Sequence, residues 1–198
     1  GDYEEAKKLF EQSMQIYTKY APRDVGMARS SGYLGAVYHI FGDFEEAKTY
    51  LERAQNIYKK HPQNRVGVAW SLAHLANVYG TLGDYEEAIN LLKKSVETYK
   101  AQVKDSVGAA WAGGDLGEMY VKIGNLEKAR HHLEESLAID RKHFSEDHVY
   151  MAEIFAHFAV LHLKEGDYKK AKEFFQKALG PIEETYGKDH VEAGYILK

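Results

Sequence analysis

The phrase GDYEEA opens the chain at Gly1 and returns unchanged at Gly83 to Ala88, while GDFEEA begins at Gly42, GNLEKA at Gly124 and GDYKKA at Gly166. The five glycines recur at spacings of 41, 41, 41 and 42 residues. A fixed period of this size marks a repeat architecture, in which a small unit that cannot bury its apolar face alone buries it against its neighbours. The period therefore outweighs the single ordinary domain that a length of 198 residues would otherwise invite. With 44% hydrophobic and 28% charged residues, the chain carries enough apolar material for a continuous core.

One repeat is legible on either side of Gly83. Before it, VGVAWSLAHLANVYGTL sets Val68, Leu72, Leu75, Ala76 and Tyr79 at steps of three and four. After it, Tyr85, Ala88, Leu91, Leu92 and Ser95 do the same, so both halves are predicted to be helices with one packed face. The intervening corner is tight: Gly83 is free to take the positive φ that ends a helix, and Asp84 is placed to cap the next. The aromatic residue and the alanine after each corner are expected to pack inward. Acidic pairs such as Glu4-Glu5, Glu45-Glu46 and Glu86-Glu87 fall in a first helical turn, where negative charge suits the helix dipole, and so read as structural. No stretch alternates strictly, which leaves strands a poor alternative. The fold class is all-α, with an antiparallel helix pair in each repeat.

These residues resemble the tetratricopeptide repeats. That pattern has Leu, a small residue and then Tyr in its first helix, followed by Gly-Asp-Tyr and an alanine in the second. The chain supplies Leu34-Gly35 with Tyr38, Leu75-Ala76 with Tyr79, Leu116-Gly117 with Tyr120, and Phe158-Ala159 with His162. Its second-helix alanines are Ala6, Ala47, Ala88, Ala129 and Ala171. The period exceeds the usual one of about 34 residues and resembles the long repeats of kinesin light chains. The joints VGMA at Val25, VGVA at Val66, VGAA at Val107 and VYMA at Val149, with EDHVYMA and GKDHVEAG, resemble the long arrays attached to NB-ARC-type (STAND) signalling ATPases. HEAT and armadillo repeats share the period but lack the Gly-Asp-Tyr corner.

The resemblance implies a right-handed α-solenoid, a superhelix of helix pairs forming a single array over 1–198. The expected boundaries are the second helix of a truncated repeat at 1–24, repeats at 25–65, 66–106, 107–148 and 149–189, and the start of a further first helix at 190–198. Neither end offers the polar cap of a natural solenoid, and the chain starts with glycine inside the repeated phrase. It therefore reads as an excerpt from a longer protein.

In the family, ligands usually lie in the concave groove lined by first helices, and the matching positions here are candidate binding residues by that resemblance. One column is Arg29, Trp70, Trp111, Glu153; the next is Gly32, Ala73, Gly114, Ala156. A third contains Asn77 and Glu118, and Lys122 stands near the corner. The small column offers either a smooth floor for a ligand backbone or room for neighbouring first helices to approach. Trp70 and Trp111, the only tryptophans, occupy equivalent places and should neighbour each other. Their large rings suit a binding hot spot, with the alternative that both plug joints between helices. On the binding reading an apolar peptide segment docks across the two rings, Asn77 holds its backbone, and Arg29 and Glu153 set polarity at either end.

Other chemistry finds little support. A formal charge of −4, from 26 Lys+Arg against 30 Asp+Glu, gives no basic field for nucleic acid or anionic lipid. The absence of cysteine excludes disulfides, thiolate metal sites and a Cys nucleophile, and fits a reducing, cytoplasmic setting. No apolar run reaches the length of a membrane span. The ten histidines lack metal-ligand spacing: His131 and His132 are adjacent and so expected to point apart, while His148 and His190 fall at joints and are expected to cap or pack. GGDLG lies inside a helical pattern with no strand before it, so it is no phosphate loop. No general acid–base pair emerges. The expectation is a non-enzymatic module without metal or cofactor, binding a protein or peptide. Two other roles stand beside it: a spacer self-associating end to end through uncapped termini, or the sensory part of a regulated ATPase or transcription regulator.

Overall fold

The computed structural model describes residues 2–61, 63–102 and 105–186, and the structural statements below concern these residues. The candidate further helix at 190–198, with His190 and GKDHVEAG, lies outside them. The described residues form nine α-helices: α1 (Asp2–Tyr20), α2 (Val25–Phe41), α3 (Phe44–Tyr58), α4 (Arg65–Thr81), α5 (Tyr85–Lys100), α6 (Val107–Lys122), α7 (Leu126–His143), α8 (Met151–Glu165) and α9 (Tyr168–Tyr186). No strand occurs among the described residues. The contacts divide the chain into two compact units, Gly1–Gln102 and Val103–Lys198.

In the first unit α2 packs on α3 and α4 on α5, with α1 against α2 and α3 against α4. In the second, α6 packs on α7 and α8 on α9, while α8 also meets α6 and α7. Each pair is closed by the glycine corner. Gly42, Gly83, Gly124 and Gly166 have φ of 85°, 87°, 77° and 80°, the left-handed region that ends a helix without a Cβ penalty. The next residue then caps: Asp84 Oδ1 accepts from Glu87 N at 3.4 Å, Asn125 Oδ1 from Lys128 N at 3.2 Å and Asp167 Oδ1 from Lys170 N at 3.1 Å. Asp43 departs from the pattern, with no side-chain cap bond.

Ala47, Ala88, Ala129 and Ala171 are buried where the paired helices meet. The small residue of the facing helix has the same cause. A Cβ at Gly35 would lie 2.7 Å from Leu51 Cγ and 3.0 Å from the Ala47 carbonyl oxygen, and one at Gly117 would lie 2.6 Å from Leu133 Cδ2. The aromatic of the phrase behaves less uniformly than expected. Tyr85 and Phe44 are half-buried, whereas Tyr3 and Tyr168 are exposed.

Candidate functional site

Trp70 lies in the first unit and Trp111 in the second. Trp70, on α4, is half-buried and engaged within the first unit. Its ring meets Tyr33 edge-on at 4.9 Å between centroids and His74 at 3.9 Å, and Tyr33 in turn meets Phe10 at 5.3 Å. A Cβ at Gly32 would come within 2.9 Å of Trp70 Cζ3, so the small residue on α2 makes room for the indole from α4. The ring of Trp70 thus packs between α4 and α2. Ala73 is fully buried, Arg29 is exposed, and Asn77, half-buried, accepts a hydrogen bond at its backbone carbonyl from Thr81 Oγ1 at 2.9 Å. His39 Nε2 pairs with the same hydroxyl at 3.0 Å, and burial pushes the neighbouring His74 down to about 3, with His39 adding to the effect.

Trp111 stands differently. With Val107, Ala110 and Gly114 from α6, Asp140 and Phe144 at the end of α7, Tyr150 in the turn before α8, and Glu153, Ile154 and His157 on α8, it lines a cavity of about 300 Å³ in the second unit. Three of the sequence candidates, Trp111, Gly114 and Glu153, thus converge on one opening. Local chemistry fixes its walls. Ser106 Oγ caps α6 by accepting from Ala109 N at 3.2 Å. Asp105 tethers the end of α7, its carboxylate pairing with Lys142 Nζ at 2.8 Å and its carbonyl with His143 Nε2 at 2.7 Å. Phe144, leaving α7 in an extended conformation, stacks on His148 at 4.7 Å and meets Tyr150 edge-on at 5.2 Å. His148 Nδ1 accepts from Tyr150 N at 3.2 Å, so this joint histidine caps and packs.

The cavity is acidic. Asp140 is only 7% exposed, and burial pushes its carboxyl up to about 6; the nearby Glu153 pushes in the same direction and His143 opposes. His157 Nε2 lies 3.7 Å from Glu118 Oε2, and its buried Nδ1 has no hydrogen-bond partner among the described residues. Glu118 and Lys122, the remaining sequence candidates, lie outside this lining and pair with each other across one helical turn at 3.5 Å.

Gly114 both lines the cavity and stands against a neighbouring first helix. A Cβ there would lie 3.2 Å from His157 Nδ1, so the glycine admits the imidazole of α8 more than it opens a smooth floor. The two histidine expectations fare unequally. His131 and His132 do not point apart: their rings lie 5.2 Å apart, and with Glu135 their donor atoms fall within 4.8 Å of one another. Asp115, Glu153 and His157 bring donors equally close. A search for paired histidines misses the second group because its histidine is joined by acids, Glu153 four residues before it on α8 and Asp115 from α6. These are the described residues that could hold a metal ion.

A family model described as the MalT-like TPR region matches residues 1–186. No curated protein matches the chain in sequence. Among solved structures, BtubC (BKLC) from P. vanneervenii has a TM-score of 0.74 at 19% identity, over 96% of this chain and 77% of that one. The kinesin light chain TPR-like repeats of Podosopora anserina have a TM-score of 0.68 at 22% identity, over 95% of this chain and 90% of that one. A chain of the APC/C hetero-tetramer Cut9-Hcn1 reaches 0.69 at 16% identity, covering 98% of this chain and 34% of its own length. These likenesses carry the fold: helix-pair repeats of a kind that is generally a non-enzymatic scaffold for protein–protein interaction. No helix among the described residues is long and apolar enough to cross a membrane.

Proposed function

Since the chain belongs to the MalT-like TPR region family, we propose that it is a protein-interaction module whose second unit receives a segment of a partner protein against α6 and α8. The observation that supports this reading is the cavity walled by Trp111, Phe144 and Tyr150. Aromatic side chains of this kind bury large apolar area at low entropic cost and dominate interface energetics. About 300 Å³ lies at the lower end of the range for ligand pockets, which suits one anchoring side chain with the rest of the segment lying outside. Asp140 and Glu153 give the walls around that anchor their sign. In a longer signalling protein such a module would serve as the arm that senses a partner, and a P-loop nucleotide-binding domain in the flanking sequence would support that placement.

Selection of displayed random peptides on the chain tests the reading. Enriched peptides should bind saturably, and Trp111→Ala should weaken them at least tenfold with the helical circular dichroism unchanged. Failure to enrich any peptide whose binding depends on Trp111 would remove this reading.

A further inference from the structure

The cavity of the second unit contains a buried acid without a paired countercharge. Asp140 faces it from α7 at 7% exposure, and the groups that act on its carboxyl are Glu153, which shares its sign, and His143, with no hydrogen bond among them. A second carboxylate, Glu153, faces the same space from α8. Burying an unpaired carboxylate is costly, and the usual remedy is an opposite charge with satisfied hydrogen bonds. Of the cationic side chains that follow it on α7, Arg141 pairs with Glu146 at 3.1 Å, Lys142 with the Asp105 carboxylate and His143 with the Asp105 carbonyl, and of these only His143 draws the Asp140 carboxyl down. Three rings complete the walls, and the faces of aromatic rings attract cations.

We propose that this cavity is an arginine pocket, taking one arginine side chain of a bound segment with its guanidinium between Asp140 and Glu153 and its stem against Trp111, Phe144 and Tyr150. The assignment rests on the protein-interaction reading above and names the residue that the partner must present. Arginine fits better than lysine because its planar, weakly hydrated cation stacks on rings and serves two carboxylates at once. An apolar anchor would leave Asp140 buried and uncompensated. A divalent ion held by Asp115, Glu153 and His157 would leave Asp140 out of its donor set and make no use of the rings. The elevated titration of Asp140 comes from burial first and from the like charge of Glu153 second.

The test uses the full chain, labelled with ¹⁵N, in chelator-containing buffer, titrated with the capped tripeptide acetyl-Gly-Arg-Gly-amide and its citrulline counterpart, which is isosteric and uncharged. The arginine peptide should shift the indole N–H of Trp111 saturably, and the citrulline peptide should bind at least tenfold more weakly. Asp140→Asn and Glu153→Gln should each weaken the arginine peptide at least fivefold and leave the citrulline peptide unchanged. Equal affinities for the two peptides would overturn the proposal. So would silence toward arginine combined with tight Zn²⁺ binding, in chelator-free buffer, that shifts Asp115, Glu153 and His157. Selected peptides that need Trp111 but contain no required arginine would sink the arginine assignment and leave the interaction reading standing, whereas the loss of all Trp111-dependent binding would remove both.

Discussion

Gly114 on α6 leaves room for the imidazole of His157 on α8, whose Nδ1 lies 3.2 Å from where a Gly114 Cβ would be. Gly117, one turn further along, faces a harder neighbour, the branched Leu133 at 2.6 Å with the Ala129 carbonyl oxygen at 3.3 Å. Both replacements by alanine gain about 1 kcal/mol of helix propensity, so the steric term decides the sign. We expect Gly114→Ala to stay within about 1 kcal/mol of wild type, because the imidazole need yield only a few tenths of an ångström. Gly117→Ala should lose about 1–3 kcal/mol through overpacking. Urea denaturation of the two variants checks the contrast, and equal effects would contradict this packing.

Asp140 makes stability depend on pH in a defined direction. Its folded-state value of about 6 lies above the ordinary 3.8, so folding favours the protonated acid. That contribution is complete below about pH 4 and is lost as pH rises to about 6. Above about pH 6 the buried carboxylate burdens the free protein. Asp140→Asn should therefore raise the melting temperature at about pH 7.5 and have little effect at about pH 4, as measured by thermal scans at both values.

The two tryptophans should separate by readout. Trp70 is held by Tyr33 and His74 and fits over Gly32, so Trp70→Ala should destabilise the first unit by about 3 kcal/mol, in the range for removing a packed aromatic. Trp111→Ala should show mainly as lost peptide affinity. Hydrogen exchange resolved to each unit, together with a peptide titration, distinguishes them.

The capping residues provide a test of the corner itself. Asp84 and Asn125 accept from backbone N–H groups of the following turn, and Asp43 makes no such bond. Replacing either of the first two by alanine should cost about 1 kcal/mol, and Asp43→Ala should cost less. Chemical denaturation gives the three values side by side.

The scaffold is legible in the sequence because every repeat obeys the same local rules. The positive φ of Gly83, the Asp84 cap and the burial of Ala88 each follow from chemistry within one turn of the residue. The candidate site is legible only in part. Trp111, Gly114 and Glu153 emerge from comparing equivalent positions, but Asp140 and Phe144 do not, since they lie near the end of a second helix that the groove positions do not include. In sequence Asp140 reads as one more acid in a charged helix, and only the packing of α6 and α8 reveals that it is buried. The cluster of Asp115, Glu153 and His157 is half legible, because Glu153 and His157 stand four apart on α8 while Asp115 comes from α6. The VGMA and VGVA joints carry a readable signal whose cause is not readable: Gly26 and Gly67 are small because the rings of Tyr17 and Tyr58 lie where their Cβ atoms would be.

The central claim is that partner segments enter the cavity of the second unit, and the most direct measurement is resonance mapping of a selected peptide bound to the ¹⁵N-labelled chain. Saturable shifts should centre on Trp111, Phe144, Tyr150 and Glu153 and be abolished together by Trp111→Ala. Saturable binding that leaves those four residues unshifted would contradict it.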